Sequence, residues 1–129
     1  YVAAGNQIHK TTDGGQIWAP MLETSALFSA DRLAIDPQNP DKIIAAANNG
    51  VYVSDDAGGT WAHTYAHPTF DIQIMPNNSN KIYALSQLSG NFVMVYSDDG
   101  GQSFFIDNNF PTAITEQSGG LLAASMADA

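Results

Sequence analysis

The sequence predicts an all-β protein: part of a β-propeller, with about three four-stranded antiparallel blades. Three observations predict it. A turn signature recurs three times at one interval, and an apolar element recurs at a second interval. The segments between are short and rich in β-branched and aromatic residues, and no stretch of about 12 residues carries a helical period. Short antiparallel strands in groups of four, repeating every 43 residues, match a propeller blade, whose known repeats run ~40–50 residues. A β-sandwich requires no fixed period.

The turn signature reads Thr11-Thr12-Asp13-Gly14-Gly15-Gln16-Ile17-Trp18, then Ser54-Asp55-Asp56-Ala57-Gly58-Gly59-Thr60-Trp61, then Ser97-Asp98-Asp99-Gly100-Gly101-Gln102-Ser103-Phe104. All three fit Ser/Thr-x-Asp-x-Gly-x-x-Trp/Phe, and Asp13, Asp56 and Asp99 stand 43 residues apart. The apolar element at 33–45 recurs at 72–84, an offset of 39. The later unit therefore gains four residues between Ala84 and Val93, around Gln87-Leu88-Ser89-Gly90, and four are lost between Trp61 and Phe70. Such insertions are expected in loops.

Strands are expected at 33–36, 42–46, 50–54 and 60–65, and again at 71–75, 81–85, 92–97 and 103–107. Pro37 and Pro76 suit the first hairpin of each unit, because proline ends ladder pairing. Asn48-Asn49-Gly50 signals the second hairpin. The expected organisation is the end of a blade at 1–22, complete blades at 30–66 and 69–108, and the first strand of a further blade at 119–129. Closed propellers need about 4–8 blades. The chain is thus expected to be an arc of a larger ring, with the remaining blades as its first partner.

Composition narrows the function. Of 129 residues, 44% are apolar and 13% charged, with a net charge of −9; the charged share is about half the usual ~25%. Four basic residues cannot line a phosphate backbone, so nucleic acid is not an expected partner. No apolar run approaches the ~18 residues of a membrane span. The absence of cysteine excludes disulfides, thiolate metal sites and thiol nucleophiles. The acidic, lysine-poor, Asn/Gly/Ser/Thr-rich balance points to a secreted protein, extracellular or at the cell surface.

Each signature carries its own structural logic. Asp13, Asp56 and Asp99 can accept backbone N–H bonds within their turns. Thr11, Ser54 and Ser97 add a hydroxyl to the same network, and Gly15, Gly58 and Gly101 allow positive φ. Trp18, Trp61 and Phe104 offer aromatic faces for packing between blades. The paired carboxylates Asp55-Asp56 and Asp98-Asp99 lack the spacing of an EF-hand loop. No metal or other cofactor is expected.

These motifs resemble the Asp-box, or BNR repeat, found in sialidase-like, xyloglucanase-like and sortilin-like propellers. The resemblance covers most of the chain. It implies that each box forms the turn between the third and fourth strands of a blade. The wording of 97–104, with Asp36-Pro37-Gln38-Asn39-Pro40, also resembles repeats of large secreted bacterial proteins. The sialidases of this family use an arginine triad, whereas Arg32 is the single arginine here; it is expected to pair with Asp31 or to lie at a blade entrance. A glycosidase needs two facing carboxylates, and Glu23, Asp36, Asp41, Asp71, Asp107 and Glu116 are available. Asp36 is expected in an Asx-type turn. His9 is expected to pack, being the repeat equivalent of Tyr52, and His63 and His67 have helical zinc spacing without a helix. The expected function is a non-catalytic scaffold or binding platform for protein or glycan partners. The alternative is part of a xyloglucanase-like glycoside hydrolase propeller.

Overall fold

The computed structural model describes residues 1–23 and 29–109. The expected further strand at 119–129, and Glu116, lie outside the described residues. Those residues form three antiparallel sheets and no helix. The first sheet orders β1 (Val2–Ala4), β2 (Gln7–Lys10) and β3 (Ala19–Glu23). The second orders β4 (Ala30–Ile35), β5 (Ile43–Ala47), β6 (Gly50–Ser54) and β7 (Ala62–Tyr65). The third orders β8 (Thr69–Met75), β9 (Asn78–Leu88), β10 (Asn91–Ser97) and β11 (Phe105–Ile106). Each sheet is a simple meander, and β4 packs beside β8 and β1 beside β4.

The hydrophobic pattern explains the stacking. Successive side chains of a strand face opposite ways, yet every residue of β5 and β6 is buried. The second sheet is covered on both faces. On one, Ile44, Ala46, Val51 and Val53 share a core with Ile72, Ile74, Ile82, Ala84 and Val95 of the third sheet. On the other, Ala45, Ala47 and Tyr52 pack with Ile8 of the first. A strand enclosed in this way reads as an unbroken apolar run rather than an alternation, as Ile43-Ile44-Ala45-Ala46-Ala47 does. Each fully buried isoleucine contributes about 1.5–3 kcal/mol.

Two turns show how backbone conformation sets the hairpins. Gly50 opens β6 at φ 144°, and a Cβ there would collide with the Tyr65 carbonyl oxygen of β7. The four-residue insertion does not form a loop. It lengthens the β9–β10 hairpin, which pairs as far as Leu88 and Asn91. The reason lies in Ser89 and Gly90, at φ 52° and 85°, the positive-φ pair that matches the twist of a two-residue hairpin. The Phe92 ring on the added segment meets Phe70 edge-on at 5.4 Å. Strand β11 is shorter than the sequence suggested, because 97–104 is taken up by the hydrogen bonds of a turn.

Candidate functional site

The three signature segments fold alike, each linking the last two strands of its sheet. In the first, Thr11 Oγ1 donates to Asp13 Oδ1 at 2.7 Å, and accepts the Gly15 N–H at 2.9 Å. The N–H groups of Gln16 and Ile17 donate to the same Asp13 oxygen at 2.9 and 3.0 Å. In the second, Ser54 Oγ donates to Asp56 at 2.9 Å and accepts the Gly58 N–H at 2.8 Å. The Thr60 N–H and hydroxyl take both Asp56 oxygens, at 2.7 and 2.8 Å. In the third, Ser97 holds Asp99 and the Gly101 N–H, while Gln102 and Ser103 donate to Asp99. Donors aimed at a carboxylate favour its charged form. The Asp13 pKa is lowered mainly by the Ile17 N–H, and that of Asp56 by the Thr60 N–H. The Ser103 hydroxyl leads the causes that bring Asp99 down to about 2.

The aromatic residue of each signature also closes its turn. Trp18 Nε1 donates to the Gly15 carbonyl at 3.1 Å, and Trp61 Nε1 to that of Gly58 at 3.0 Å. Phe104 has no such donor. Trp61 packs against the core between the first and second sheets, and Phe104 against the core between the second and third, 5.4 Å from the Tyr65 ring. Trp18 differs from the packing expectation. It is 43% exposed, with Ile17 at 72%, because no sheet precedes the first among the described residues.

The second and third turns are seated on the sheet before them. Tyr1 Oη donates to the Ala57 carbonyl at 2.8 Å and Lys10 Nζ reaches it at 3.3 Å. Gly58 faces the Tyr1 ring and Met21, while Gly101 faces Val53 and Ile44. A repeated ion pair braces the turns: Lys42 Nζ to Asp55 at 2.9 Å and Lys81 Nζ to Asp98 at 2.7 Å. The sequence reading missed these pairs. Their signal was present, since both lysines hold one position of the repeated apolar element, just before Ile43 and Ile82, and both aspartates sit second in the signature.

Arg32 does not pair with Asp31. Its Nε donates to Asp71 Oδ1 at 2.9 Å. Asp31 is the extra residue of a β-bulge in the pairing of β4 with β5, while the packing of β8 beside β4 brings Asp71 within reach of Arg32. Asp71 raises the Arg32 pKa. Asp31 lines an open cleft of about 370 Å³ with Tyr1, Arg32 and Leu33, whose walls desolvate its carboxyl and raise its pKa. A second cleft, of about 300 Å³, lies at the first turn between Lys10, Asp13, Ile17 and Met21.

Three of the remaining candidate carboxylates accept a backbone N–H of their own segment. Asp36 is buried and accepts the Gln38 N–H at 2.9 Å, Asp71 also accepts the Ile72 N–H at 2.9 Å, and Asp107 accepts the Asn109 N–H at 2.9 Å. Asp41 contributes its carbonyl to the Ala57 N–H at 2.8 Å. Glu23 ends β3. His63 stacks on Tyr52 at 4.5 Å and contacts the Asn49 carbonyl at 3.1 Å, His67 meets Tyr65 edge-on, and His9 is half-buried in β2. Among the described residues no three His, Asp or Glu side chains gather as a metal-holding group, and no helix is long and apolar enough to cross a membrane.

Sheets of antiparallel strands stacked side by side, each joined to the next by one connection, define a partial β-propeller. The crystal structure of an ancestral GH74 enzyme, a member of a β-propeller family, matches this chain with a TM-score of 0.69 and 19% sequence identity over 79% of the chain. The chain spans 15% of that protein's length. No protein-family model and no curated protein matches the sequence.

Proposed function

We propose that this chain is a non-catalytic segment of a β-propeller in a larger secreted or cell-surface protein, where it serves as a scaffold or binding platform for protein or glycan partners. Its three turns act as Asp-boxes with a structural role, and the remaining blades of the ring are its first partner. One observation carries the reading. The carboxylates of Asp13, Asp56 and Asp99 are each committed to donors of their own turn, so they hold backbone rather than reach for a ligand. The test is to replace each by alanine in the intact protein. Loss of stability with unchanged binding of protein or glycan partners supports the reading. Loss of binding at unchanged stability overturns it.

The alternative is a share of a glycoside hydrolase propeller. Such chemistry needs two carboxyl groups about 5–9.5 Å apart across a sugar. The GH74 likeness supports the architecture this alternative would use, and Asp36 and Asp71 are buried carboxylates it would draw on. Incubation of the intact protein with a panel of neutral polysaccharides separates the two. Hydrolysis abolished by Asp36→Asn or Asp71→Asn would establish the enzyme reading.

A further inference from the structure

The hairpin between β5 and β6 belongs to the middle sheet, which has a sheet packed on each face. Ala47 pairs with Gly50, so Asn48 and Asn49 form a two-residue turn. Asn49-Gly50 is the one Asn-Gly pair of the sequence. Such a pair is chemically labile, because glycine has no side chain to shield its backbone nitrogen from the preceding carboxamide. The Gly50 nitrogen attacks Asn49 Cγ. The N–Cγ bond forms, the Cγ–Nδ2 bond breaks, and ammonia leaves with the Gly50 proton. Water then opens the succinimide to aspartate or isoaspartate. The fold cannot escape this chemistry by replacing Gly50, since a Cβ there would collide with the Tyr65 carbonyl and the His63 ring.

Two side chains fix Asn49 against that attack. Asn49 Nδ2 donates to Tyr52 Oη at 2.9 Å, and His63 Nε2 donates to the Asn49 carbonyl at 3.1 Å. The His63 ring stacks on Tyr52, with centroids 4.5 Å apart, so the two guards brace each other. The attack must swing the carboxamide away from Tyr52 and build negative charge on Oδ1. That oxygen is buried without a hydrogen-bond partner, so no donor stabilises the charge. We propose that Asn49 is a latent site of spontaneous deamidation, held closed in the native fold by Tyr52 and His63 and opened when the hairpin frays. Isoaspartate adds a methylene to the backbone of the turn, between two strands buried along their whole length. Conversion therefore weakens the middle sheet, and refolding does not undo it. The inference is independent of the scaffold role.

Peptide mapping by mass spectrometry tests it, on the intact protein incubated in mildly alkaline buffer with and without urea. Asn49 is expected to convert slowly in the native protein and to be the fastest-converting asparagine in urea. Tyr52→Phe keeps the ring and removes the hydroxyl, and His63→Ala removes the second contact. Each is expected to speed native conversion at Asn49 about 5-fold, the factor that one net hydrogen bond supplies. Asn78-Ser79, at the start of β9, is the internal control. Its rate is expected to stay at the wild-type value, whereas a general loosening of the fold raises both. Wild-type conversion at Asn49 as fast in native buffer as in urea overturns the proposal, and this comparison needs no variant. Variants that leave the Asn49 rate unchanged, or raise it only in step with Asn78, overturn it too.

Discussion

Arg32 and Asp71 stand at the same position of consecutive repeats, and Arg32 Nε donates to Asp71 Oδ1 at 2.9 Å across the boundary between two sheets. One site in the repeat thus carries opposite charges in neighbouring units. The Asp71 side chain is 3% exposed and that of Arg32 42%, so the carboxylate bears most of the desolvation.

Removing the arginine takes the ion-pair partner from a buried carboxylate that keeps the Ile72 N–H, and losing one member of such a pair costs more than the pair contributes. Arg32→Ala is expected to destabilise the chain by about 1–2 kcal/mol, a figure reduced because water screens the exposed guanidinium. Arg32→Ala combined with Asp71→Asn is expected to recover part of this. Urea denaturation of the two variants and the wild type gives the comparison.

The turn aspartates predict an acid limb. Asp99 has a folded pKa of about 2 against an ordinary value of 3.8. A lowered folded pKa contributes stability that is present above the unfolded value and is lost as pH falls through the folded one. Stability is therefore expected to decline between about pH 4 and pH 2, with Asp13 and Asp56 adding in the same direction. Asp99→Asn is expected to be less stable at neutral pH and to show a shallower decline. Thermal melts across that range would contradict this if both proteins lost stability in parallel.

Ile44 sits fully buried between the second and third sheets. Ile44→Ala is expected to cost about 2–5 kcal/mol, the lost transfer energy plus the cavity left behind. Ile35, exposed on β4, is the control, and its alanine variant is expected to stay within about 0.5 kcal/mol of wild type. Equal losses in chemical denaturation would mean that the sheets do not stack as described.

Gly50 and Gly5 both have positive φ, but only Gly50 is crowded, by the Tyr65 carbonyl and the His63 ring. Gly5→Ala is expected to cost about 1–2 kcal/mol, the left-handed penalty alone. Gly50→Ala is expected to exceed that, because β7 must move away from β6. Hydrogen exchange at the β6–β7 ladder would register the displacement directly.

The sequence made some of this plain and hid the rest for physical reasons. Strands β5 and β6 were legible because enclosure on both faces demands continuous apolar residues between turn signals. The signature turns were legible because their hydrogen bonds run between residues at most four apart. The partner of Arg32 was not. The adjacent Asp31 satisfies a linear reading, and only the lateral packing of β4 on β8 brings in a residue 39 positions away. The β9–β10 extension was not legible because insertions between repeats usually fall in loops, whereas here the positive-φ pair Ser89-Gly90 lets the added residues continue the ladder to Leu88 and Asn91. The exposure of Trp18 depends on which sheet lies beside it, a relation no local pattern contains.

The seating of each turn on the sheet before it gives the fold a direction in time. Tyr1, Lys10 and Met21 are synthesised before the 54–61 turn that rests on them, and Ile44 and Val53 before the 97–104 turn. Every docking surface used within the chain is therefore waiting when its occupant leaves the ribosome. Domains that emerge N-terminus first can then fold in order of synthesis, at ~5–20 residues per second. Each new unit then covers the apolar face left by the last.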